Sequence, residues 1–379
     1  MLLSAGTRAR REATRERMRA LTTIVDWSRL AEMLRSGRLL PTLGPRILEF
    51  ADDCANGEFA ADVATSLDAS RRQSALLQLI SARAMDALAD AGVRSTALKG
   101  PLLGEAIYDE PGRRLSGDID LLVPQEQLSE AVEVVREMGY AKPTDHAGDD
   151  GLPLLHFSLA HEHGELPPVE LHWRIHWYEA HFARDRLLPP PDRGFNDWRP
   201  TPVDELTALL LFYARDGFTG LRQATDLGAW WDKFGSELRF DELGDSLRTY
   251  PELQPALSTA VAMAEKTVGL PADRLIEKMG SLGPRSRVVI RLASPRPYAS
   301  AEQLYAEIGL IDGLLAPPGG LWAFVRRQIA PPREVIRQHT QRARASATVS
   351  HSLRVLGRYG LAFARLLRLP GAMRSRFVP

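Results

Sequence analysis

Two short stretches of this chain alternate polar and apolar residues with a period of two, and helical patterns flank them on both sides. In GDIDLLV (117–123), Asp118 and Asp120 share one face while Ile119 and Leu121 share the other. In VELHWRIHW (169–177), Glu170, His172, Arg174 and His176 oppose Leu171, Trp173, Ile175 and Trp177. That period fits an extended strand with one face in a core. STALKG (95–100) and HFSLAH (156–161) read as further strands, with helices at 101–108 and 125–138. Upstream, Trp27, Leu30, Met33 and Leu34 recur at helical spacing up to Gly37, and a second helix is expected over 44–54. A third, over about 70–91, carries Leu76, Leu77, Leu79, Ile80, Met85 and Leu88 and stops at Gly92. From about 202 the chain turns helical again, through DELTALLLFYA and LRQATDLGAWWDKF, with weaker segments to about 316. The expected fold is α+β, a small mixed or antiparallel sheet flanked by N- and C-terminal helical regions. Its expected parts are an N-terminal helical region (1–92), a strand-bearing domain (93–200), a C-terminal helical domain (201–320) and a basic amphipathic tail (321–379).

Composition narrows the class. With 379 residues and 44% apolar content, the chain can bury a sizeable core, which excludes a wholly disordered or collagen-like protein. No apolar run is long enough to span a bilayer and no secretory signal is readable, so the expected location is cytoplasmic. Cys54 is the single cysteine, which excludes a disulfide framework and a multi-cysteine metal site. The net charge is zero, but it is unevenly spread. Residues 1–40 hold nine arginines against four acids, and residues 326–379 hold twelve arginines against Glu334 alone, leaving a net of −16 between them. The chain is an acidic body with two basic ends. In the tail, Arg354, Arg358, Arg365 and Arg368 fall on one helical face. Such a face suits an anionic membrane surface, an RNA backbone, an acidic partner or the protein's own acidic body.

The chemistry-bearing residues gather around the strands. Asp118 and Asp120, at i and i+2 on one face, suit divalent ions spaced about 3.5–4 Å apart in a phosphoryl-transfer site. Mg²⁺ prefers such oxygen ligands. Upstream, Gly100 caps a helix with Pro101 in its first position, and the free N–H groups of Leu102 and Leu103 offer a seat for phosphate oxygens. Lys99 precedes that turn, one of only five lysines against 43 arginines. It is placed to offset triphosphate charge. The Walker spacing is absent. Glu170 offers a third carboxylate, and His172 can orient it or touch substrate. A zinc site built from His161, His163 and the His172/His176 face is an alternative. Histidines lining an acidic cleft are the simpler account.

LKGPLLGEAIY (98–108), PGRRLSGDIDLLV (111–123) and VELHW (169–173) together resemble the uncharacterised nucleotidyltransferase family of the polymerase-β-type superfamily. The resemblance spans roughly residues 25–235 and is most specific over 95–123. It implies a nucleotidyltransferase palm with Asp118, Asp120 and Glu170 as catalytic metal carboxylates and Gly100 as the superfamily's glycine turn. By the same resemblance Arg114 contacts phosphate and Asp226 closes the cleft over the base or acceptor. The superfamily's Gly-Ser pair is Lys99-Gly100 here, so Ser116 or Thr96 would have to supply the hydroxyl that touches the β-phosphate. The expected activity is transfer of a nucleoside monophosphate from an NTP such as ATP to an acceptor hydroxyl. Two Mg²⁺ ions, or Mn²⁺ in their place, would assist. The acceptor is a small molecule, a peptide or protein, or an RNA end. The alternatives are a catalytically silent nucleotide- or partner-binding module and a tRNA-end-modifying or toxin-like enzyme.

Overall fold

A computed structural model describes residues 2–51, 54–141, 155–191, 193, 198–293, 301–329, 357 and 359–360. Short helices α1 (Arg8–Ala13) and α2 (Arg15–Thr22) lead into α3 (Trp27–Ser36). The Asp26 side chain starts α3 by accepting from the Arg29 N–H, which satisfies one of the orphan donors of a first turn. Helix α4 (Leu40–Ala51) follows, then the 34-residue α5 (Gly57–Asp90), capped by the Asn56 side chain. The expected stop at Gly92 is present, with that glycine in left-handed backbone (φ 76°).

Four strands come next, β1 (Thr96–Ala97), β2 (Ile119–Leu122), β3 (His156–Leu159) and β4 (Val169–His172), interleaved with α6 (Pro101–Ile107) and α7 (Leu128–Glu137). They form one mixed sheet of order β1-β2-β4-β3, in which β2 and β4 are parallel and both edge pairings are antiparallel. The strands are shorter than the alternation suggests. Asp118 lies in a bend just before β2, and β4 ends at His172. There Trp173 and Arg174 both donate their backbone N–H to the Leu155 carbonyl, which turns the chain off the sheet. Arg174 and His176 therefore do not continue the polar face expected for 169–177, and His176 is fully buried.

The two sheet faces serve different cores. Ile119, Leu121, Val169 and Leu171 pack with Leu77, Ile80 and Leu88 of α5 and Val132 and Val135 of α7. Leu122, on the opposite face, joins the larger helical core. That core is built chiefly from α8 (Pro202–Arg215), α9 (Leu221–Phe234), α10 (Phe240–Thr249) and α11 (Gln254–Val268). The first turns of α5 reach it through Phe59 and Val63, so one helix links both cores. Helices α12 (Ala272–Met279), α13 (Pro284–Leu292), α14 (Ala301–Leu315) and α15 (Gly320–Ile329) complete the described chain. Among the described residues no helix is long and apolar enough to cross a membrane. Arg354, Arg358, Arg365 and Arg368, expected on one helical face of the tail, lie outside the described residues.

Candidate active site

Strand register assembles the acidic site. In the parallel pair, Asp120 and Glu170 are direct partners, so two side chains fifty positions apart in sequence share one face at the same level. Asp118, half-buried at the mouth of β2, adds the third carboxylate. One oxygen from each of Asp118, Asp120 and Glu170 lies within 4.8 Å of the others. The three residues that sequence spacing singled out are therefore brought together.

Two cationic or hydrogen-bonding groups converge on the same oxygen. Lys99 Nζ lies 3.1 Å from Asp120 Oδ1, and His172 Nε2 lies 3.0 Å from it. His172 Nε2 is also 3.3 Å from Glu170 Oε2, so this fully buried ring bridges two carboxylates. Burial by itself raises the Asp120 carboxyl, but the Lys99 charge and the His172 hydrogen bond outweigh it and hold Asp120 far below the usual carboxylate range. Glu170 behaves alike: burial raises it, while the His172 hydrogen bond and His156 bring it below its ordinary value. His156 stacks on His172 with ring centroids 4.6 Å apart. Burial and the neighbouring His172 push the His156 imidazole down to about 4.

The turn between β1 and α6 directly follows Lys99, which ties it to Asp120. Gly100 adopts φ 86°, which disfavours any side chain, and a Cβ built there would meet nothing within 4 Å. Gly100 itself is buried. Leu102 is exposed and Leu103 half-buried, with their N–H groups in the first helical turn, where no intrahelical partner exists. Arg114 lies against this turn. It donates from Nε to Asp226 Oδ2 (2.9 Å) and from Nη1 to Ser116 Oγ (2.7 Å) and the Gly100 carbonyl (3.3 Å). Tyr108 closes the network by donating its hydroxyl to Asp226 Oδ1 at 2.9 Å. All four side chains are buried. In this geometry Arg114, held by Ser116 and Asp226, braces the glycine turn, and Arg114 and Asp226 also line the adjoining cleft. Thr96 is half-buried in β1.

A small, narrow cleft adjoins the turn, lined among others by Lys99, Leu103, Arg114, Phe212, Arg222, Gln223 and Asp226. Phe212 of α8 is flanked by two cations: Lys99 Nζ lies 5.0 Å from its ring centroid and the Arg215 guanidinium 4.9 Å. Sequence reading gave no signal for Phe212, because it lies within an apolar helical run and only tertiary packing turns it toward Lys99. The histidines expected to cluster divide instead. His156 and His172 meet at Glu170, whereas His161 packs on Tyr140 and His163.

A sequence model described as uncharacterised nucleotidyltransferase matches residues 23–269, well over half of the chain. The protein belongs to this family. No curated protein and no solved structure matches the chain significantly. The match covers the sheet, the three carboxylates, the Gly100 turn and the α8–α9 wall of the cleft. The family places the chain among nucleotidyltransferases.

Proposed function

We propose that this nucleotidyltransferase is a Mg²⁺-dependent enzyme that transfers a nucleoside monophosphate from an NTP to an acceptor hydroxyl. The observation that carries this reading is the in-register pairing of Asp120 with Glu170, with the Asp118 carboxylate in the same group. A divalent ion fits these residues: the three donors are all carboxylate oxygens, the class Mg²⁺ prefers, and Mn²⁺ accepts the same set. Asp118, Asp120 and Glu170 would hold the metal. When bound, two such ions supply charge stabilisation at the α-phosphate and acidify the acceptor hydroxyl.

The chain's own side chains do the rest. Lys99, poised between the carboxylates and the cleft, offsets the negative charge of the triphosphate. The Gly100 backbone, free of a side chain, with the first-turn N–H groups of Leu102 and Leu103 admits phosphate oxygens closely. Arg222, on the cleft wall, adds a second positive charge. His172 holds Asp120 and Glu170 in mutual orientation. The acceptor oxygen attacks the α-phosphorus, the bond to the bridging α–β oxygen breaks, and pyrophosphate leaves with that electron pair. The hydroxyl proton passes to a carboxylate or to solvent. Most of the rate gain comes from positioning and charge stabilisation.

The test is incubation with Mg²⁺ and each labelled NTP against small-molecule, protein and RNA acceptors. Transfer that disappears in Asp118→Ala and Asp120→Ala supports the reading. Equal label in wild type and both variants overturns it. Nucleotide binding without transfer across the panel identifies a silent binding module instead.

A further inference from the structure

We infer that His156, His172 and Glu170 form a separate site for one divalent transition-metal ion, Zn²⁺ foremost, adjoining the all-oxygen carboxylate set. The three side chains come from one pair of antiparallel strands. Register makes His156 and His172 direct cross-strand partners, and Glu170 precedes His172 by two positions on the same face. Their donor atoms converge on one point: His172 Nε2 and His156 Nε2 lie 3.3 and 3.7 Å from the same atom, Glu170 Oε2. One donor from each residue lies within 4.8 Å of the others. In a tetrahedral shell with bonds of about 2.0–2.1 Å, neighbouring ligand atoms stand roughly 3.3–3.4 Å apart. The separations to Glu170 are already close to that edge length.

Donor chemistry separates this group from its neighbour. Two imidazoles and one carboxylate suit Zn²⁺ and related ions, whereas Mg²⁺ binds oxygen and accepts imidazole poorly. Asp118 contributes only to the oxygen set, and His156 only to the nitrogen set, so Glu170 is the shared ligand. The Nδ1 atoms of both histidines are buried with no hydrogen-bond partner among the described residues. Seating an ion at His172 Nε2 replaces the 3.0 Å contact of that nitrogen with Asp120 Oδ1, while ring rotation breaks no hydrogen bond at Nδ1. The His156 side chain is 37% exposed, which leaves an approach from solvent. Three protein ligands leave a fourth position for water or a hydroxyl, the arrangement of catalytic zinc sites rather than of closed structural ones. His161, His163 and His176, on which a sequence-level zinc site would draw, are not in this group.

The inference shares Glu170 with the proposed activity but needs no nucleotide, so the two fail independently. The full chain is stripped with a chelator, equilibrated with Zn²⁺ alone, dialysed and assayed for metal content. Replacement with Co²⁺ then reads coordination by visible absorption. Wild type and Asp118→Asn are expected to keep one equivalent of Zn²⁺ and to give the intense bands of tetrahedral Co²⁺. His156→Ala, altered at a half-exposed ring, is expected to lose both while keeping its circular dichroism. Wild type without retained Zn²⁺ overturns the site, as does His156→Ala retaining the full equivalent. Loss in Asp118→Asn as well would place the ion among the carboxylates and likewise refute a separate site.

Discussion

The Arg114–Asp226 pair is the most exacting place to test how the glycine turn is held. Its side chains are 4% and 3% exposed, so Asp226→Ala leaves a guanidinium buried without its counter-charge. Removing one partner of such a pair costs about 3–5 kcal/mol. With a urea m-value of about 3 kcal/mol per M, the unfolding midpoint should fall by roughly 1–1.7 M. Tyr108→Phe removes one donor to the same carboxylate and should cost about 1.5–3 kcal/mol. The double variant Arg114→Met/Asp226→Leu discards both charges and should recover much of the loss. Urea titrations followed by circular dichroism measure all of these. The reasoning fails if Asp226→Ala unfolds within about 0.3 M of wild type, about 1 kcal/mol by the same slope. It fails equally if the double variant is no more stable than the single one. Because Arg114 also bonds the Gly100 carbonyl, Asp226→Ala should weaken nucleotide binding even in urea-free buffer, as equilibrium dialysis would show.

Three other outcomes are expected. Gly100→Ala meets no neighbouring atom, so its cost is the backbone strain of φ 86° with ψ −147°, a region almost confined to glycine, about 1–3 kcal/mol; the fold should persist while labelled-nucleotide binding drops. Asp118→Asn, at a half-buried position, should change stability by no more than about 0.5 kcal/mol yet lose Mn²⁺ binding followed by electron paramagnetic resonance. Burial pushes the Glu179 carboxyl up to about 8, against an ordinary value of 4.5. The folded chain therefore binds more protons than the unfolded one between those values, and stability should fall as pH rises through that window. The total is on the order of 3–5 kcal/mol. Glu179→Gln should flatten this slope in denaturation midpoints taken from pH 5 to 8.5; an unchanged slope would refute it.

How much was legible in the sequence depended on how local each signal is. Helix α9 runs over the whole of LRQATDLGAWWDKF, because its apolar period and terminal Gly235 are both short-range features. The first turns of α5 (57–69) lie outside the expected helix, although Phe59, Val63 and Leu67 recur there every four residues on its buried face. Helix α4 runs through Pro45, and tertiary packing of Leu40, Leu43 and Ile47 overrides that local signal, whereas Pro41 sits in the first turn, where proline is tolerated. VELHWRIHW alternates beyond the point where hydrogen bonding to Leu155 ends the strand. At the site, residue type and spacing exposed Asp118, Asp120 and Glu170. The meeting of His156 with Glu170 depends on cross-strand register, and the pairing of Arg114 with Asp226 on a contact across 112 positions. Neither is a property of any short window.

The opposed faces of β2 limit how this protein can be dissected. Leu121 and Leu122 are adjacent in sequence and fully buried, yet each is enclosed by helices from a different part of the chain. A fragment limited to 93–200 would keep all three carboxylates but strip α5 from one side of the strand and α8–α11 from the other. Such a piece should collapse into an unspecific aggregate rather than a minimal enzyme. The carboxylate-bearing segment and the smallest autonomous folding unit therefore do not coincide. Shortened versions of this protein should be designed around both helical coats, not around the motif.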